Sequence, residues 1–415
     1  MASAPQTVES VTVPTQNLAF VHFLFSNHLT SEYLPHSGCL HRCSTASRMC
    51  ALEKRSVPTE VGENDVLVAL KAISVCGSDI HFLCHGGVGD YVARQPLILG
   101  HETADVVIKV GSNVTNVKAG DRVALEPGAS CRTCFECKSG VYQHCEHMVF
   151  AASPPYNGTL AGFYTLPSDL CYPLPANLTL EEGALLEPMS VGVHALHNIA
   201  QMQPASRVVI FGAGPVGLLT AAAAKGLGAA RVIAVDIQEP RLKFAKESGL
   251  VHDYFLPPKP NEGEAQEDYP ARQARKLRER FGFTERGANG VDLVVCIQTA
   301  IHLLKHGGTL VQVGMGQPDV TIPMHRVLAK ELTIKGSFRY GSGSYLLAMD
   351  LVARGAVNLK SIISHRYTFG QALEAYRDNQ AGVSKRDGMP VIKCVIAGPT
   401  DKEAETLLFD QKLTA

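Results

Sequence analysis

Short apolar runs alternate with glycine-rich or polar turns along the chain, which predicts alternating strands and helices. The clearest block is residues 207–236. There the apolar run Val208–Phe211 leads into GAGPVG, a small-residue helical run to about Leu227 and a second apolar strand ending at Asp236. The uncharged stretch Val208–Ala224 approaches the length of a membrane span, but glycine and proline divide it into strand and helix. We therefore exclude a membrane span.

The same patterns predict further elements on both sides of this block. Thr179 followed by Glu182 forms a capping-box pattern, which predicts a helix that contains Glu187. Predicted strands are Leu18–His22, Val66–Val75, one entered through the Gly120-Asp121 turn, a pair formed by Phe163–Leu166 and Cys171–Leu174, Val291–Cys296, His306–Val313, Leu332–Ser337 and Val391–Ile396. Predicted helices cover Arg241–Ser248, Arg272–Phe281, 345–357 and 370–381, and the acidic, proline-rich stretch 257–272 is predicted to be a surface loop.

The glycine triplet of the central block has the pattern of a dinucleotide site. Gly212 suits a tight turn, Gly214 lets the backbone approach a pyrophosphate, and Gly217 lets the helix lie close to the strand. The helix N-terminus would then face the phosphates. Asp236 would accept hydrogen bonds from the ribose hydroxyls and repel a 2′-phosphate, which favours NAD over NADP. A glycine-rich turn within an apolar core is the alternative.

Two groups of residues have the chemistry of zinc ligands. Cys76 and His101, each beside a glycine, are ligand types of a catalytic zinc with an open position. Four cysteines with close spacing predict a closed, structural zinc site, and free cysteines in a surface loop are the alternative: Cys131, Cys134, Cys137 and Cys145.

Three other features are less specific. Glu187 lies in an apolar setting, where a carboxylate needs a metal nearby or a salt bridge. Arg241 is placed to meet the cofactor's ribose or phosphate, or is an ordinary solvated helix charge. Residues 23–50 show no clear period; although Cys39, His41 and Cys43 could bind a metal, a disordered insert or an error in the gene model is favoured.

Length and composition bound the class of protein. A chain of 415 residues predicts two or three domains. A net charge of −1 gives no electrostatic footprint for nucleic acid or acidic membranes. The N-terminus has no basic region ahead of its apolar patch, and the last residues are not a peroxisomal signal. The 12 cysteines then indicate thiols and metal ligands in a cytoplasmic protein.

With these residues identified, the chain resembles the zinc-dependent medium-chain dehydrogenase/reductase family, within residues 51–398, and is most similar to its sorbitol and xylitol dehydrogenases. The motifs that carry the resemblance are CGSDIHF, ILGHE, GDRVALEPG, LEEGALLEPMSVGVHA, FGAGPVGL and KGSFRYGSGSY. The resemblance implies an α/β fold with a GroES-like, mostly-β catalytic domain at 1–190, a Rossmann NAD-binding domain with a doubly wound parallel sheet at 191–335, and a return to the catalytic domain at 336–415. Assembly as a homotetramer is also implied.

The resemblance also implies roles for individual residues. Catalytic zinc would be held by Cys76, His101 and Glu102, with Glu187 on a zinc-bound water or substrate oxygen. Ser78 and His81 are candidates for a proton relay, although His81 is equally well a structural histidine. Phe82, Glu187, Arg339 and Tyr340 would lie on the substrate side. The expected cofactor-binding residues are Gly212, Gly214, Val216, Gly217, Asp236, Arg241, Val313, Gly314, Ser337 and Arg339.

Three departures from the family pattern bear on activity. Phe82 replaces a tyrosine, Asp105 replaces a small glycine and is expected to crowd the zinc loop, and the connection after Cys296 is about half a dozen residues short. The expected function is zinc- and NAD-dependent oxidation of sorbitol or xylitol to the ketose. The alternatives are a dehydrogenase of L-arabinitol or of simple alcohols, and an impaired homologue that only binds zinc and nucleotide.

Overall fold

The computed structural model describes residues 18–24, 49–55, 58, 60–265, 268–295, 299–314 and 319–400. Cys39, His41 and Cys43, most of the segment 23–50 and the start of the connection after Val295 lie outside these ranges. The predictions made for those residues, including the short connection after Cys296, therefore remain predictions.

Each predicted apolar run forms a strand, but the structure also has strands that the sequence analysis did not predict, such as Glu102–Val110 and Ile363–Tyr367. In chain order the described strands are β1 (Leu18–Leu24), β2 (Met49–Arg55), β3 (Asp65–Ser74), β4 (Gly87–Val88), β5 (Tyr91–Val92), β6 (Leu97–Ile98), β7 (Glu102–Val110), β8 (Arg122–Leu125), β9 (Gly128–Ala129), β10 (Val149–Phe150), β11 (Phe163–Pro167), β12 (Cys171–Pro173), β13 (Arg207–Phe211), β14 (Arg231–Val235), β15 (Asp253–Phe255), β16 (Val291–Val295), β17 (Leu304–Val313), β18 (Thr333–Ser337), β19 (Ile363–Tyr367) and β20 (Lys393–Ala397).

The helices lie between these strands. They are α1 (Gly77–His85), α2 (Phe135–Lys138), α3 (Leu180–Ala184), α4 (Leu186–Val193), α5 (Pro215–Gly226), α6 (Glu239–Glu247), α7 (Asp268–Phe281), α8 (Thr299–Leu303), α9 (Met324–Lys330), α10 (Ser344–Ala353) and α11 (Ala372–Ala381). A π-helical segment, His194–Ile199, continues α4, and a short 3₁₀ turn, Tyr142–His144, lies between the third and fourth cysteines of the predicted zinc group.

A six-stranded parallel sheet forms the centre of one half of the fold. Its strand order is β15-β14-β13-β16-β17-β18, so β13 lies between β14 on one side and β16 on the other. The order reverses at β13, and ligands of such sheets bind outside the carboxyl ends of the strands at this point. The glycine-rich turn after β13 lies at that end. The predicted Rossmann-type sheet is confirmed.

The other half is a mostly antiparallel sheet that joins strands from both ends of the chain. Its order is β12-β8-β7-β3-β20-β19, and β11 also pairs with β3. The central strand β3 pairs with β7 through most of its length and with β20 near its end. The predicted α/β fold with a separate, mostly-β unit is confirmed. The domain limits at residues 190 and 335 remain predictions.

Three local predictions need correction. The strands β11 and β12 do not pair with each other, because β11 lies beside β3 and β12 beside β8. The predicted helix after Thr179 has its capping box, but it is divided at Leu185 into α3 and α4. The helix α7 begins at Asp268, inside the stretch predicted as loop, since a proline in the first helical turn is tolerated there.

Apolar side chains of α4 and α5 pack together in one continuous core with those of β13, β14 and α10. This packing joins the helix that carries Glu187 to the helix that follows the glycine-rich turn. Within the described part of the chain, no helix is both long enough and apolar enough to cross a membrane.

Candidate active site

Three of the predicted metal ligands meet at the end of the mostly-β sheet. Cys76 lies just before α1, and His101 and Glu102 lie at the start of β7. The antiparallel register places Ser74 opposite Glu102, which brings the two segments together. One ligand atom from each of Cys76, His101 and Glu102 lies within 4.8 Å of the others. A thiol, an imidazole and a carboxylate together form a donor set that suits zinc.

A buried carboxylate that the sequence analysis missed orients His101. Asp79 Oδ1 lies 3.4 Å from His101 Nδ1 and accepts a hydrogen bond from the Gly100 amide at 3.2 Å. Burial lowers the pKa of His101, but the neighbouring Asp79 and Cys76 outweigh it and hold that pKa well above its usual value. A carboxylate on one imidazole nitrogen fixes the ring and leaves the other nitrogen for a metal.

Glu102 has a second partner that the sequence analysis also missed. The Lys393 ammonium lies 2.5 Å from Glu102 Oε2, and both side chains are fully buried. Ser74 Oγ donates to the same oxygen, while Lys393 also donates to the Val75 carbonyl at 2.9 Å. Glu102 is thus held by a buried cation at the candidate metal site. Its role as a zinc ligand remains a prediction.

Glu187 lies in the buried first turn of α4 and is close to His101, Glu102 and Lys393. Burial raises the pKa of Glu187 to about 7, against the opposing effects of His101 and Lys393. The Tyr340 hydroxyl is buried and makes no hydrogen bond of normal geometry with the described residues, yet it is near enough to favour the ionised form of Glu187. A carboxyl group with a pKa near neutrality can hold or release a proton at working pH.

Arg339 and Tyr340 follow β18, as predicted. The Arg339 guanidinium lies over the Phe150 ring, 3.8 Å from its centroid, and the Phe150 ring lies 5.8 Å from that of His101. Phe150 therefore lies close to both Arg339 and His101, and no sequence signal indicated it. Tyr340 is 2% exposed and lies beside Glu187.

The candidates for proton transfer lie on α1. Ser78 Oγ donates to Cys76 Sγ at 3.2 Å, and His81 is exposed, with its ring 5.5 Å from that of His85. Phe82 is 5% exposed and belongs to the apolar core around β3, so a direct contact with substrate remains a prediction. The hydrogen bonds of Asp105 are with β3 and β7, since its Oδ1 accepts from the Lys71 amide and the Thr103 hydroxyl. Crowding of the zinc loop by Asp105 remains a prediction.

The four other cysteines converge in a separate lobe, residues 131–145. Their sulfur atoms lie within 4.8 Å of one another, and Cys131 Sγ is 3.9 Å from Cys137 Sγ. Four thiolates bound tetrahedrally at 2.3 Å from zinc would lie about 3.8 Å apart, so the lobe fits a zinc ion. Hydrogen bonds from Thr133 lower the pKa of Cys131 to about 5, which favours a thiolate.

The glycine-rich turn has room for a pyrophosphate. A Cβ on Gly217 would lie 1.9 Å from the Gly212 carbonyl oxygen, whereas a Cβ on Gly214 would meet no atom within 4 Å. Gly217 is thus required by the fold, and Gly214 borders open space at the N-terminus of α5. Asp236 accepts hydrogen bonds from the Ala213 amide at 2.6 Å and the Gln238 amide at 2.8 Å. It therefore lies beside the turn, as the ribose role requires.

The remaining predicted cofactor residues lie at or near the same sheet edge. Val216 is exposed in the first turn of α5, Val313 and Gly314 end β17, and Ser337 ends β18 with its buried hydroxyl unpaired. Arg241 lies on α6, and its guanidinium points to Gly382, where an added Cβ would lie 3.5 Å from Nη2. The contacts of all these residues with a cofactor remain predictions.

Comparison with known proteins agrees with this geometry. Residues 62–176 match the model of the alcohol dehydrogenase GroES-like domain, and residues 215–354 match the model of the zinc-binding dehydrogenases. The chain is 46% identical, over 84% of its length, to a probable D-xylulose reductase A from Emericella nidulans, of which it covers 93%. The chain belongs to the zinc-binding dehydrogenase family. A D-xylulose reductase A from Aspergillus niger is 45% identical to this chain, and the match covers 83% of this chain and 93% of the relative's own length.

Solved structures support the same assignment. An Escherichia coli oxidoreductase/dehydrogenase of unknown specificity is 31% identical with a TM-score of 0.72, over 85% of this dehydrogenase and 96% of its own chain. Galactitol-1-phosphate dehydrogenase from Escherichia coli is 28% identical with a TM-score of 0.70, over 84% and 96% of the two chains. The predicted family, the enzyme class and the cofactor class of zinc with a nicotinamide dinucleotide are confirmed.

Proposed function

We propose that this dehydrogenase oxidises a small polyol of the sorbitol or xylitol kind to the corresponding ketose and transfers the hydride to NAD. Similarity to fungal D-xylulose reductases over 84% of the chain supports the assignment of a polyol as the substrate class. The buried carboxyl group of Glu187 beside Cys76, His101 and Glu102 supports alcohol oxidation at this site, because the reaction must also remove a proton from the hydroxyl.

In this proposal each residue has a defined task. Cys76, His101 and Glu102 hold zinc, which when bound supplies Lewis-acid activation of the substrate hydroxyl. Glu187 takes up and releases a proton near pH 7, in keeping with its pKa of about 7. Ser78, next to Cys76, and the exposed His81 move the hydroxyl proton towards solvent.

The nucleotide site and the substrate side complete the assignment. The turn at Gly212–Gly217 binds the pyrophosphate, and Asp236 binds the adenosine ribose and selects NAD over NADP. Arg339, which lies over the Phe150 ring, and Tyr340, which lies beside Glu187, contact the polyol hydroxyls and the nicotinamide side. NAD accepts the hydride, and the protein positions the two reactants.

A panel of oxidation rates tests the proposal. Sorbitol, xylitol, L-arabinitol and ethanol are supplied with NAD or NADP, and the zinc content of the same preparation is measured. We expect turnover of a polyol with NAD and poor use of ethanol and NADP. The Glu187→Gln variant should lose about 100-fold or more in kcat, since a positioned proton acceptor contributes that much. Fastest turnover of ethanol, or NAD binding with no turnover, would contradict the proposal.

We also propose that the dehydrogenase assembles as a homotetramer in the cytosol. β18 is at the edge of the parallel sheet, and near it Ile334, Phe338 and Leu328 are 42%, 45% and 81% exposed. An unpaired edge strand with exposed apolar residues favours pairing with a second copy. Light scattering measures the mass in solution.

The proposed location in the cytosol is supported by the described cysteines, which are free thiols.

A further inference from the structure

The turn that carries Arg339 and Tyr340 packs against one edge of the four-cysteine lobe. We call residues 338–343 the substrate turn and residues 140–144 the lobe edge. The His144 ring stacks on the Phe338 ring, with centroids 6.3 Å apart and an interplanar angle of 14°. Ser342 Oγ donates a hydrogen bond to the Gly140 carbonyl at 3.1 Å. The substrate turn thus contacts the lobe edge at both of its ends.

The middle of the substrate turn is enclosed between the lobe edge and the segment after α4. A Cβ on Gly341 would lie 3.0 Å from Gln143 Oε1 and 3.0 Å from His194 Cε1. The Gly341 amide donates to His194 Nδ1 at 3.1 Å. Gln143 is buried, and its Oε1 has no hydrogen-bond partner among the described residues. A buried, unpaired amide oxygen costs stability, so its retention here needs a reason other than folding.

The same contacts determine where Arg339 points. Its backbone has a φ of 50°, a left-handed conformation that is uncommon for a residue other than glycine. Its guanidinium lies between aromatic rings, 3.8 Å from the Phe150 centroid and 4.9 Å from that of Phe338. Phe338 therefore touches His144 as well as Arg339. The Phe338 ring thus lies in contact with both the lobe edge and the guanidinium.

We propose that His144 and Gln143 are positioning residues that hold the substrate turn, so that the four-cysteine lobe contributes to polyol affinity as well as to metal binding. The inference rests on the proposed function, because it takes Arg339 and Tyr340 as contacts of the polyol. Neither His144 nor Gln143 touches the zinc-type ligands Cys76, His101 and Glu102. Their removal should therefore act on the KM of the polyol and leave hydride transfer intact.

Three substitutions in the holoenzyme test this. His144→Ala should raise the KM of the polyol about two- to tenfold, the range that a stacked aromatic pair provides, with a smaller rise in the KM of NAD and kcat within about twofold of wild type. His144→Phe should restore the KM, because it keeps a flat ring on Phe338. His147→Ala is the matched control: His147 is exposed in the same part of the chain and its ion pair is with Glu146.

A fluorescence measurement tests the contact without catalysis. The chain contains no tryptophan, so Phe338→Trp introduces a single reporter. Adding His144→Ala to it should increase quenching by iodide. An unchanged polyol KM in His144→Ala, an equal rise in the KM of NAD, or equal iodide quenching of the two tryptophan variants would overturn the inference. Absence of polyol turnover by the wild type would instead contradict the proposed function.

Discussion

At the scale of single residues, the buried ion pair of Lys393 and Glu102 is the strongest electrostatic feature of the candidate site. Both side chains are at most 2% exposed, and the pKa of Lys393 is raised because Glu102 outweighs the effect of burial. A buried pair contributes little compared with apolar residues, but removal of one partner leaves an uncompensated charge. Replacing one partner and replacing both should therefore have different effects on stability, and this difference can be measured.

In the zinc-free protein, Lys393→Met should lower the free energy of unfolding by about 3–5 kcal/mol, because Glu102 is left buried without its cation. The double variant Glu102→Gln with Lys393→Met should recover most of that loss. Urea denaturation measures both. Lys118→Met is the control, since its pair with Asp121 is exposed and worth about 1 kcal/mol or less. Equal losses in the single and double variants would show that the buried charge is not the cause.

Asp105 is fully buried beside the irregular pairing of β3 with β7. Its Oδ1 satisfies the Lys71 amide, but its Oδ2 has no partner among the described residues. Burial raises the pKa of Asp105 well above 3.8, against the hydrogen bonds from Thr103 and Lys71. The folded protein therefore binds this proton more tightly than the unfolded chain does.

Asp105→Asn should consequently stabilise the protein increasingly as the pH rises. Because the pKa of Asp105 is higher in the folded protein than in the unfolded chain, its protonation contributes to stability. That contribution is complete at a pH below the pKa of the unfolded chain, and it is lost as the pH rises through the pKa of the folded protein. The Asn side chain does not titrate, so the free energy of unfolding of the variant should gain on that of the wild type by up to about 1.4 kcal/mol per pH unit. Urea denaturation from pH 4 to 8 measures it. Asp121→Asn is the control of opposite sign, because Lys118 lowers the pKa of Asp121 despite its partial burial. A pH-independent difference for Asp105→Asn would contradict the assignment.

At the scale of elements, the two glycines around the start of α5 have different physical tasks. Gly214 has a φ of −80°, which alanine also adopts, and it borders open space. Gly217 is pressed against the Gly212 carbonyl. The spacing of the triplet predicts a dinucleotide turn, but it does not distinguish a glycine kept for the ligand from one kept for packing. That distinction needs the three-dimensional contacts.

Gly214→Ala should fold with a melting temperature near wild type but bind NAD at least tenfold more weakly, which corresponds to about 1.4 kcal/mol of lost contact. Gly217→Ala should instead lower the melting temperature, because its Cβ collides with backbone. Thermal unfolding and calorimetric titration of NAD separate the two effects. Wild-type NAD affinity in Gly214→Ala would place the pyrophosphate elsewhere.

At the scale of the whole molecule, the two candidate metal sites differ in their ligands. The lobe offers four thiols, whereas Cys76, His101 and Glu102 are three ligands and would leave a position open for substrate. The contact of the lobe edge with the substrate turn couples the lobe to the candidate active site. The two sites should therefore differ in lability and in the consequences of metal loss.

A mild chelator should remove about half of the zinc and abolish activity, because three ligands with an open position release zinc more readily than four thiolates do. Zinc content and activity are measured together during dialysis, and added zinc should restore both. Loss of both ions at the same rate, or a content of one zinc per chain before chelation, would contradict the assignment of two sites.

The sequence by itself determined the features that depend on local spacing. Apolar runs of strand length around the glycine triplet predicted the parallel sheet, and the grouped cysteines predicted the lobe. The tertiary structure alone decided which distant residues meet. Lys393 reaches Glu102 because β20 pairs with β3, and the Phe150 ring lies close to both His101 and Arg339. Strand pairing joins segments far apart in sequence through hydrogen bonds between backbones that look alike, so no local pattern specifies the partner.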